Sequence, residues 1–440
     1  PSDFDPALGG KFLQSMEGLI KLAHNCNYVF PQLFSASNHS PANSIDEPHL
    51  GTTYEAWSGC IYSYNMCLAY ELTGSAVYLT EAKAALNKLF NGMSYYSNDL
   101  KQKLYTDPYE FPINEVSSAP WGIAAANMLY GYTGDTKWLS YADDIKNITL
   151  RMMNWYESEL NDDPIDKSVA SLALFRAFST TDTTCTWENI MTYLPMTITF
   201  KNINAVPDPL LLKIFNLYRI NAFNFCGPSW DPSKVPTAKA YTSGPAGWLA
   251  VEDYYSPETP TPMGLNGPNT YMSNGPLFNY ILFEGYSKAA NRNIMALNID
   301  CIDAIQKMAE GVERNFIFFN GSESRVDTNL LFYDLSDPVP YQFTVIDSSG
   351  SISSEIYTGK ELMKGIPYTF KSGDHIRVSL ICLDKSVTSS FTKQQKEQKR
   401  LIIEYADLQT RALSGIGQDL LDARDKFVND LNELLRNSDK

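Results

Sequence analysis

Positive charge is scarce in this chain. Lys and Arg number 35 against 50 Asp and Glu over 440 residues, a formal net charge of −15, and the pI lies near 4.8. A phosphate backbone is held by a cationic face, so nucleic acid is excluded as the main partner. Long hydrophobic runs are missing as well: no stretch approaches the roughly 20 apolar residues that span a bilayer as a helix. The seven cysteines, at 26, 60, 67, 185, 226, 301 and 382, form no C-x-x-C pair and no zinc-ligand spacing. Cys60 and Cys67 fall two helical turns apart on one face and read as buried thiols. No signal-peptide pattern opens the numbered chain. Its start, Pro1-Ser2-Asp3-Phe4, fits either an initiator Met trimmed ahead of proline or a secretion signal already removed.

What remains is a globular composition. Hydrophobic residues make up 44% and charged residues 19%, enough to bury a large core, and the length allows two or three domains. Aromatics reach 13%, with 27 Tyr, 22 Phe and 7 Trp. Such a content suits surfaces that stack on sugar rings as well as ordinary cores.

One stretch organises the helical part. Tyr70 to Ala82 reads Tyr-Glu-Leu-Thr-Gly-Ser-Ala-Val-Tyr-Leu-Thr-Glu-Ala, and Tyr130 to Ala142 repeats its Tyr, Thr-Gly, aromatic-Leu and Ala in matching places. Gly74 and Gly134 stand where a helix C-terminus needs a left-handed residue, so each copy is the corner of a helical hairpin. Apolar spacing predicts helices near 8–26, 53–72, 77–90, 120–130, 136–159, 187–199 and 210–225, and one more starting near Asp166. A last hairpin is predicted at Leu277–Ala290 and Asn293–Arg314. All-apolar helices alternate with one-sided ones, in which Glu81, Lys83 and Lys88 punctuate an outer face. Hairpins that cannot bury their inner helices alone do so by closing into a ring, so the expected architecture is mainly α, an (α/α) toroid over 1–314, with a straight solenoid as the competing arrangement.

From Asn315 the apolar period changes from 3.6 to 2. Six strand-like stretches, from Phe316–Phe319 to His375–Ile381, are separated by turns such as Asp347–Gly350 and Lys371–Gly373, and predict a small antiparallel β-sandwich over 315–385. Residues 386–440 read as a long amphipathic C-terminal helix. Leu413, Ile416, Leu420, Ala423, Phe427 and Leu434 recur at three-four spacing, which suits pairing with a second copy through 389–440.

In a ring of hairpins, the loops leading from outer to inner helices open on one end. Those loops bring Asp46, Glu47, His49, Asp107, Tyr109, Glu110, Glu115, Asp163, Asp166, Asp208, Asp231, Trp248, Glu252, Asp253, Tyr254, Tyr255, Asn269 and Tyr271 to an acidic, aromatic mouth. Two carboxylates facing each other across a sugar are the minimum for glycoside hydrolysis, one as general acid and one as base or nucleophile. The catalytic candidates are Glu110, Glu115, Glu252 and Asp253. The substrate-binding candidates are Asp46, Glu47, His49, Tyr109, Asp208, Trp248, Tyr254, Asn269 and Tyr271. Each has a plainer reading beside it. Asp163, Asp166 and Asp208 precede helices, where an acid caps backbone N–H groups. Asp46-Glu47-Pro48-His49 reads as a polar loop before it reads as a metal site, and no resident metal or other cofactor is expected, with Ca²⁺ bridging the acids as the one exception left open. Trp57 and Trp121 read as core.

The corner Tyr-x-x-Thr-Gly-x-x-x-[Tyr/Trp]-Leu-x-x-Ala, with Leu265-Asn266-Gly267-Pro268-Asn269-Thr270-Tyr271 ahead of a predicted helix, resembles the six-hairpin glycosidase-like proteins over about residues 8–314. The resemblance is one of architecture and carries no family catalytic motif onto any residue. It implies a polysaccharide or glycan partner and glycoside hydrolase chemistry. A polyuronate lyase fits less well, because neutralising the sugar carboxylate takes cations, and these loops offer mainly Lys101 and Lys103. The rival reading is a non-catalytic structural or attachment protein, a virion or extracellular assembly component with a toroid scaffold. Either way the expected location is extracellular or virion-associated.

Overall fold

The computed structural model describes residues 6–31, 34–35, 37–38, 40–42, 57–95, 118–151, 153, 186–200, 207–229, 282–302 and 313–384. Contacts divide these residues into two compact units, with the division between Gly92 and Met93.

The first unit is helical. α1 (Pro6–Asn25) precedes α2 (Ser58–Thr73), which ends at Gly74 with φ 69° and an N–H donated to the Tyr70 carbonyl; α3 (Ala76–Tyr95) starts two residues on. In the second unit α4 (Pro120–Thr133) ends in the same way at Gly134, φ 68°, bonded to the Tyr130 carbonyl, and α5 (Lys137–Arg151) returns beside it. The repeated sequence therefore makes the same left-handed stop twice, at positions where a Cβ would meet its own backbone. Both helices ahead of these stops bury most of their faces, with Cys60, Met66, Cys67 and Ala69 in one and Ile123 to Ala126 in the other.

The second unit continues with α6 (Thr186–Met196), a 3-10 turn at Thr197–Phe200 and α7 (Pro209–Ser229). Aromatic rings hold this layer together. Tyr193 stacks on Tyr218 at 3.8 Å and meets Phe215 edge-on, while Phe200 reaches Phe215 and Tyr218 reaches Phe283. All five rings are buried. Each contributes roughly 1.5–3 kcal/mol through the area it removes from water.

The described residues between Ser287 and Asp384 are mostly β structure. β1 (Ser287–Ala289), β4 (Val326–Phe332) and β7 (Ile366–Phe370) form one antiparallel sheet in the order β1-β4-β7. β2 (Ile294–Asn298), β3 (Glu313–Asn320), β5 (Pro340–Asp347), β6 (Ile352–Thr358) and β8 (His375–Cys382) form a second, in the order β2-β3-β8-β5-β6. A short helix, α8 (Gly359–Lys364), follows β6. The inward faces of both sheets share one core, in which Phe316, Phe318 and Phe343 surround Phe332 at ring distances of 5.3 to 5.8 Å.

The chain is thus mixed α and β, and the expectation of a mainly α (α/α) toroid is corrected: the described residues hold eight helices and eight strands in two antiparallel sheets, and they do not form a helical ring. The decisive segment is the one assigned to a last helical hairpin, where β1 and β2 stand instead, so that the two sheets take in residues from Ser287 and not only those after 315. All five residues of β2 are buried, because Ile294 and Ala296 face the shared core while Met295 and Leu297 point to the other side, which is also covered. A strand buried on both faces has no alternation to reveal it, and its unbroken apolar run passes for a buried helix. The C-terminal helix expected over 386–440 lies outside the described residues.

The outward face of the five-stranded sheet is covered over β2, β3 and β8: Arg377 donates to the Phe200 carbonyl, Asp300 accepts from the Asn315 backbone at 2.9 Å, and Arg219 donates to the Arg292 carbonyl at 3.0 Å. Over β5 and β6 the face lies open among the described residues, with Ile352 and Ile356 70% and 68% exposed.

Two features of this fold are open to direct test. Gly134→Ala forces an L residue into the left-handed stop and should cost roughly 1–2 kcal/mol in urea unfolding, whereas Gly131→Ala, in open space inside the same helix, should not destabilise. His375, buried on β8 beside Arg377, has its pKa lowered from 6.5, chiefly by burial. The unfolded chain therefore takes up the proton first, so stability should be full above about pH 6.5 and fall as acid carries the pH down toward the folded value. His375→Gln should flatten the difference in melting temperature between pH 8 and pH 5; an unchanged difference would rule this group out as its source.

Candidate functional site

A buried carboxylate with three side-chain partners sits where α1 ends. The chain leaves α1 through two successive left-handed residues, Asn27 at φ 51° and Tyr28 at φ 59°, held by the Tyr28 N–H to the Ala23 carbonyl at 2.8 Å and the Asn27 N–H to the His24 carbonyl at 3.2 Å. Non-glycine residues in this region carry a conformational cost that their surroundings must offset. What the turn achieves is to bring the His24 and Tyr28 side chains back onto one carboxylate.

That carboxylate is Glu81 of α3, 6% exposed. The His24 ring meets its Oε1 through Nε2 at 2.9 Å, and the Tyr28 and Tyr62 hydroxyls donate to its Oε2 at 3.0 and 2.7 Å. Three partners from α1, the turn after it and α2 thus converge on one acid. The rings also touch: His24 lies edge-on to Tyr28 at 5.8 Å, Tyr28 edge-on to Tyr62 at 6.3 Å, and Phe30 packs on Tyr62 at 5.2 Å. Next to the cluster, the Ser63 hydroxyl donates to the Ala82 carbonyl and ties α2 to α3.

The electrostatics derive from this arrangement. Burial, reinforced by the hydrogen bond to Glu81 and by its charge, pushes the Tyr28 phenol up to about 12. The Tyr62 phenol is raised further for the same reasons in the same order. Both therefore stay protonated donors through the physiological range, and the cluster does not exchange phenolic protons there. His24 reaches water, with 55% of its side chain exposed. Its imidazole is held against the buried acid through Nε2. The neighbouring thiol is not prepared for such a partner: Cys26 is directed at the Ala23 carbonyl at 3.5 Å, and burial raises its pKa, the opposite of an activated nucleophile. No group of three His, Cys, Asp or Glu side chains placed to hold a metal occurs among the described residues.

The residues singled out from the sequence lie mostly elsewhere. Glu110, Glu115, Glu252, Asp253, Asp46, Glu47, His49, Tyr109, Trp248, Tyr254, Asn269 and Tyr271 fall outside the described residues, as do Asp107, Asp163, Asp166, Asp231 and Tyr255. Asp208 is described: it is exposed, its Oδ1 accepts the Leu210 N–H at 2.9 Å, and it caps the start of α7. Trp57 is buried at 1% exposure and Trp121 is half-buried. Cys60 and Cys67 are buried thiols. Glu81 was not among the candidates. Its spacing of four to the buried Ala85 and its place beside the buried Ala82 put it on the inner stripe of α3, a signal that its charge obscured.

No protein-family model matches the chain, and no curated protein matches it either.

By its geometry the cluster is a clasp. Tyr62→Phe removes one donor from a buried carboxylate and should cost about 1.5–3 kcal/mol. Raised phenols stabilise the fold below pH 10 and lose that contribution as the pH climbs from 10 through about 12, where Tyr28 ionises. Alkaline unfolding followed by circular dichroism, together with tyrosinate absorbance, should show a loss of stability in that window that Tyr28→Phe makes smaller, the remainder belonging to Tyr62; a wild-type profile in the variant would contradict the assignment.

Proposed function

We propose that this chain is a non-catalytic assembly protein that associates with further copies of itself, in an extracellular or virion-associated setting. The observation that carries this reading is the divided face of the five-stranded sheet. One half is sealed by the protein's own helical layer; the other presents Ile352, Ile356 and Ile381 to solvent around the small polar set Gln342, Thr344 and Ser354. Among the described residues, the open half has no pair of titratable groups at its centre and ends in β6, which pairs with β5 alone. Such a face suits contact with another protein surface better than the enclosure of a small substrate.

The buried charges support the same view, since each is engaged in holding elements together. Glu81 joins three helical segments, Arg314 donates to the Tyr333 and Asp334 carbonyls at 2.8 and 2.7 Å, and Asp300 is bound by Asn315. The glycoside hydrolase alternative would need a carboxylate pair from Glu110, Glu115, Glu252 and Asp253, and the ring that was to gather them is not found among the described residues. The apolar row of 389–440, outside those residues, offers a second route to self-association within the same reading.

Light scattering on the full chain should give at least twice 49.4 kDa, and reducing-sugar assays across neutral and acidic polysaccharides should show no turnover. A monomeric mass, or turnover abolished by Glu110→Gln or Glu252→Gln, would overturn the proposal in favour of the hydrolase.

A further inference from the structure

We infer that the contact between copies is made by β6 pairing with β6 of a second chain, antiparallel and centred on Ser354. This rests on the self-assembly reading above and specifies its surface.

The available hydrogen bonds fix the site. In the β5–β6 hairpin the Asp347 N–H bonds the Ser351 carbonyl at 3.0 Å, and beyond β6 the Gly359 N–H bonds the Val339 carbonyl at 3.0 Å. Both belong to the register that pairs Thr344 with Ser354. Antiparallel ladders alternate, so the odd-numbered residues of β6 direct their N–H and C=O groups to β5, and the even-numbered residues direct theirs outward. Three even positions are left on this outer edge. Thr358 is taken, because its N–H donates to the Glu361 carboxylate at 2.7 Å in the capping box of α8. At the other end the chain is already in the turn, where the Gly350 N–H bonds the Asp347 carbonyl. Among the described residues, backbone groups without a strand partner therefore remain on Ile352, Ser354 and Ile356, on the outer strand of the sheet.

The side chains select the partner. Residues 352–356 read Ile-Ser-Ser-Glu-Ile, nearly the same in both directions about Ser354. A two-fold antiparallel pair needs that symmetry, since residue i must suit residue j while j suits i. Centred on Ser354, Ile352 lies opposite Ile356 of the other copy, on the open face where both are now exposed, and Ser353 lies opposite Glu355. Moving the centre to Glu355 would set two carboxylates directly opposite each other; moving it to Ser353 would set Ile356 against the turn. Edge strands that stay single are usually blunted by Lys, Pro or a bulge, and β6 has none of these within Ile352–Thr358. The two five-stranded sheets would join as one of ten strands.

The test uses the full chain. Ser354→Pro removes one outward N–H and leaves the bonds to β5 intact, and Ile356→Lys places a charge opposite Ile352. Each should convert the dimeric mass to the monomeric one in sedimentation, and the lysine variant serves should the proline variant fold poorly. The register has its own readout. Opposed residues at a non-hydrogen-bonded position lie about 4.5 Å apart between Cα atoms, within reach of a disulfide. Ser353→Cys combined with Glu355→Cys should therefore give a covalent dimer on mild oxidation, while either cysteine alone should give no more than the wild type. A dimer that survives Ile356→Lys and never cross-links through the cysteine pair overturns this inference and leaves self-assembly standing by another surface. A monomeric wild type overturns both.

Discussion

The five-stranded sheet has to bury two faces at one end and only one at the other, and the rest of the β-containing unit is arranged around that demand. Its inward face closes on the three-stranded sheet, with Phe332 at the centre of the shared core. Among the described residues its outward face is met by helices only as far as β8, where Arg377 holds the carbonyl of Phe200. A guanidinium placed under a helical layer is costly unless carbonyls receive it. This contact therefore marks where the cover ends as well as what fastens it.

The clasp at the end of α1 obeys a related logic on a smaller scale. Glu81 is desolvated by the packing of α2 and α3, and two phenols and an imidazole supply what water no longer can. Reaching it requires the chain to pass through Asn27 and Tyr28 in a conformation unfavourable to both, so local strain and a buried charge are resolved together.

Local features were legible in the sequence and long-range ones were not. The two glycine stops were readable because they depend on a few neighbouring residues, and the turns at Asp347–Gly350 and Lys371–Gly373 on even fewer. The six strand-like stretches form β3 to β8: β4, β5 and β7 alternate between the core and a more exposed side, whereas β3 and β8 are largely buried on both faces and were readable from the turns around them. β1 and β2 gave no such signal: all of β2 is buried, which erases its period-2 alternation, and β1 is only three residues long. The architecture turned on that segment, because a ring of hairpins was inferred partly from a final hairpin that is sheet. Glu81 was passed over for the opposite reason: a charged residue among lysines on a helix reads as solvated, and only the tyrosines arriving from elsewhere in the chain change that. Of the acids proposed for an active site, Asp208 is found capping a helix, the plainer of the two roles its position allowed.

The two margins of the larger sheet differ in a way that limits growth. β2 is enclosed by the protein's own residues, whereas β6 is bare among the described residues. A slab with one sealed margin and one open margin can add a single neighbour and then has no exposed rim left. Polymerisation of the kind that produces fibrils needs two complementary open margins on every subunit, and this sheet supplies one.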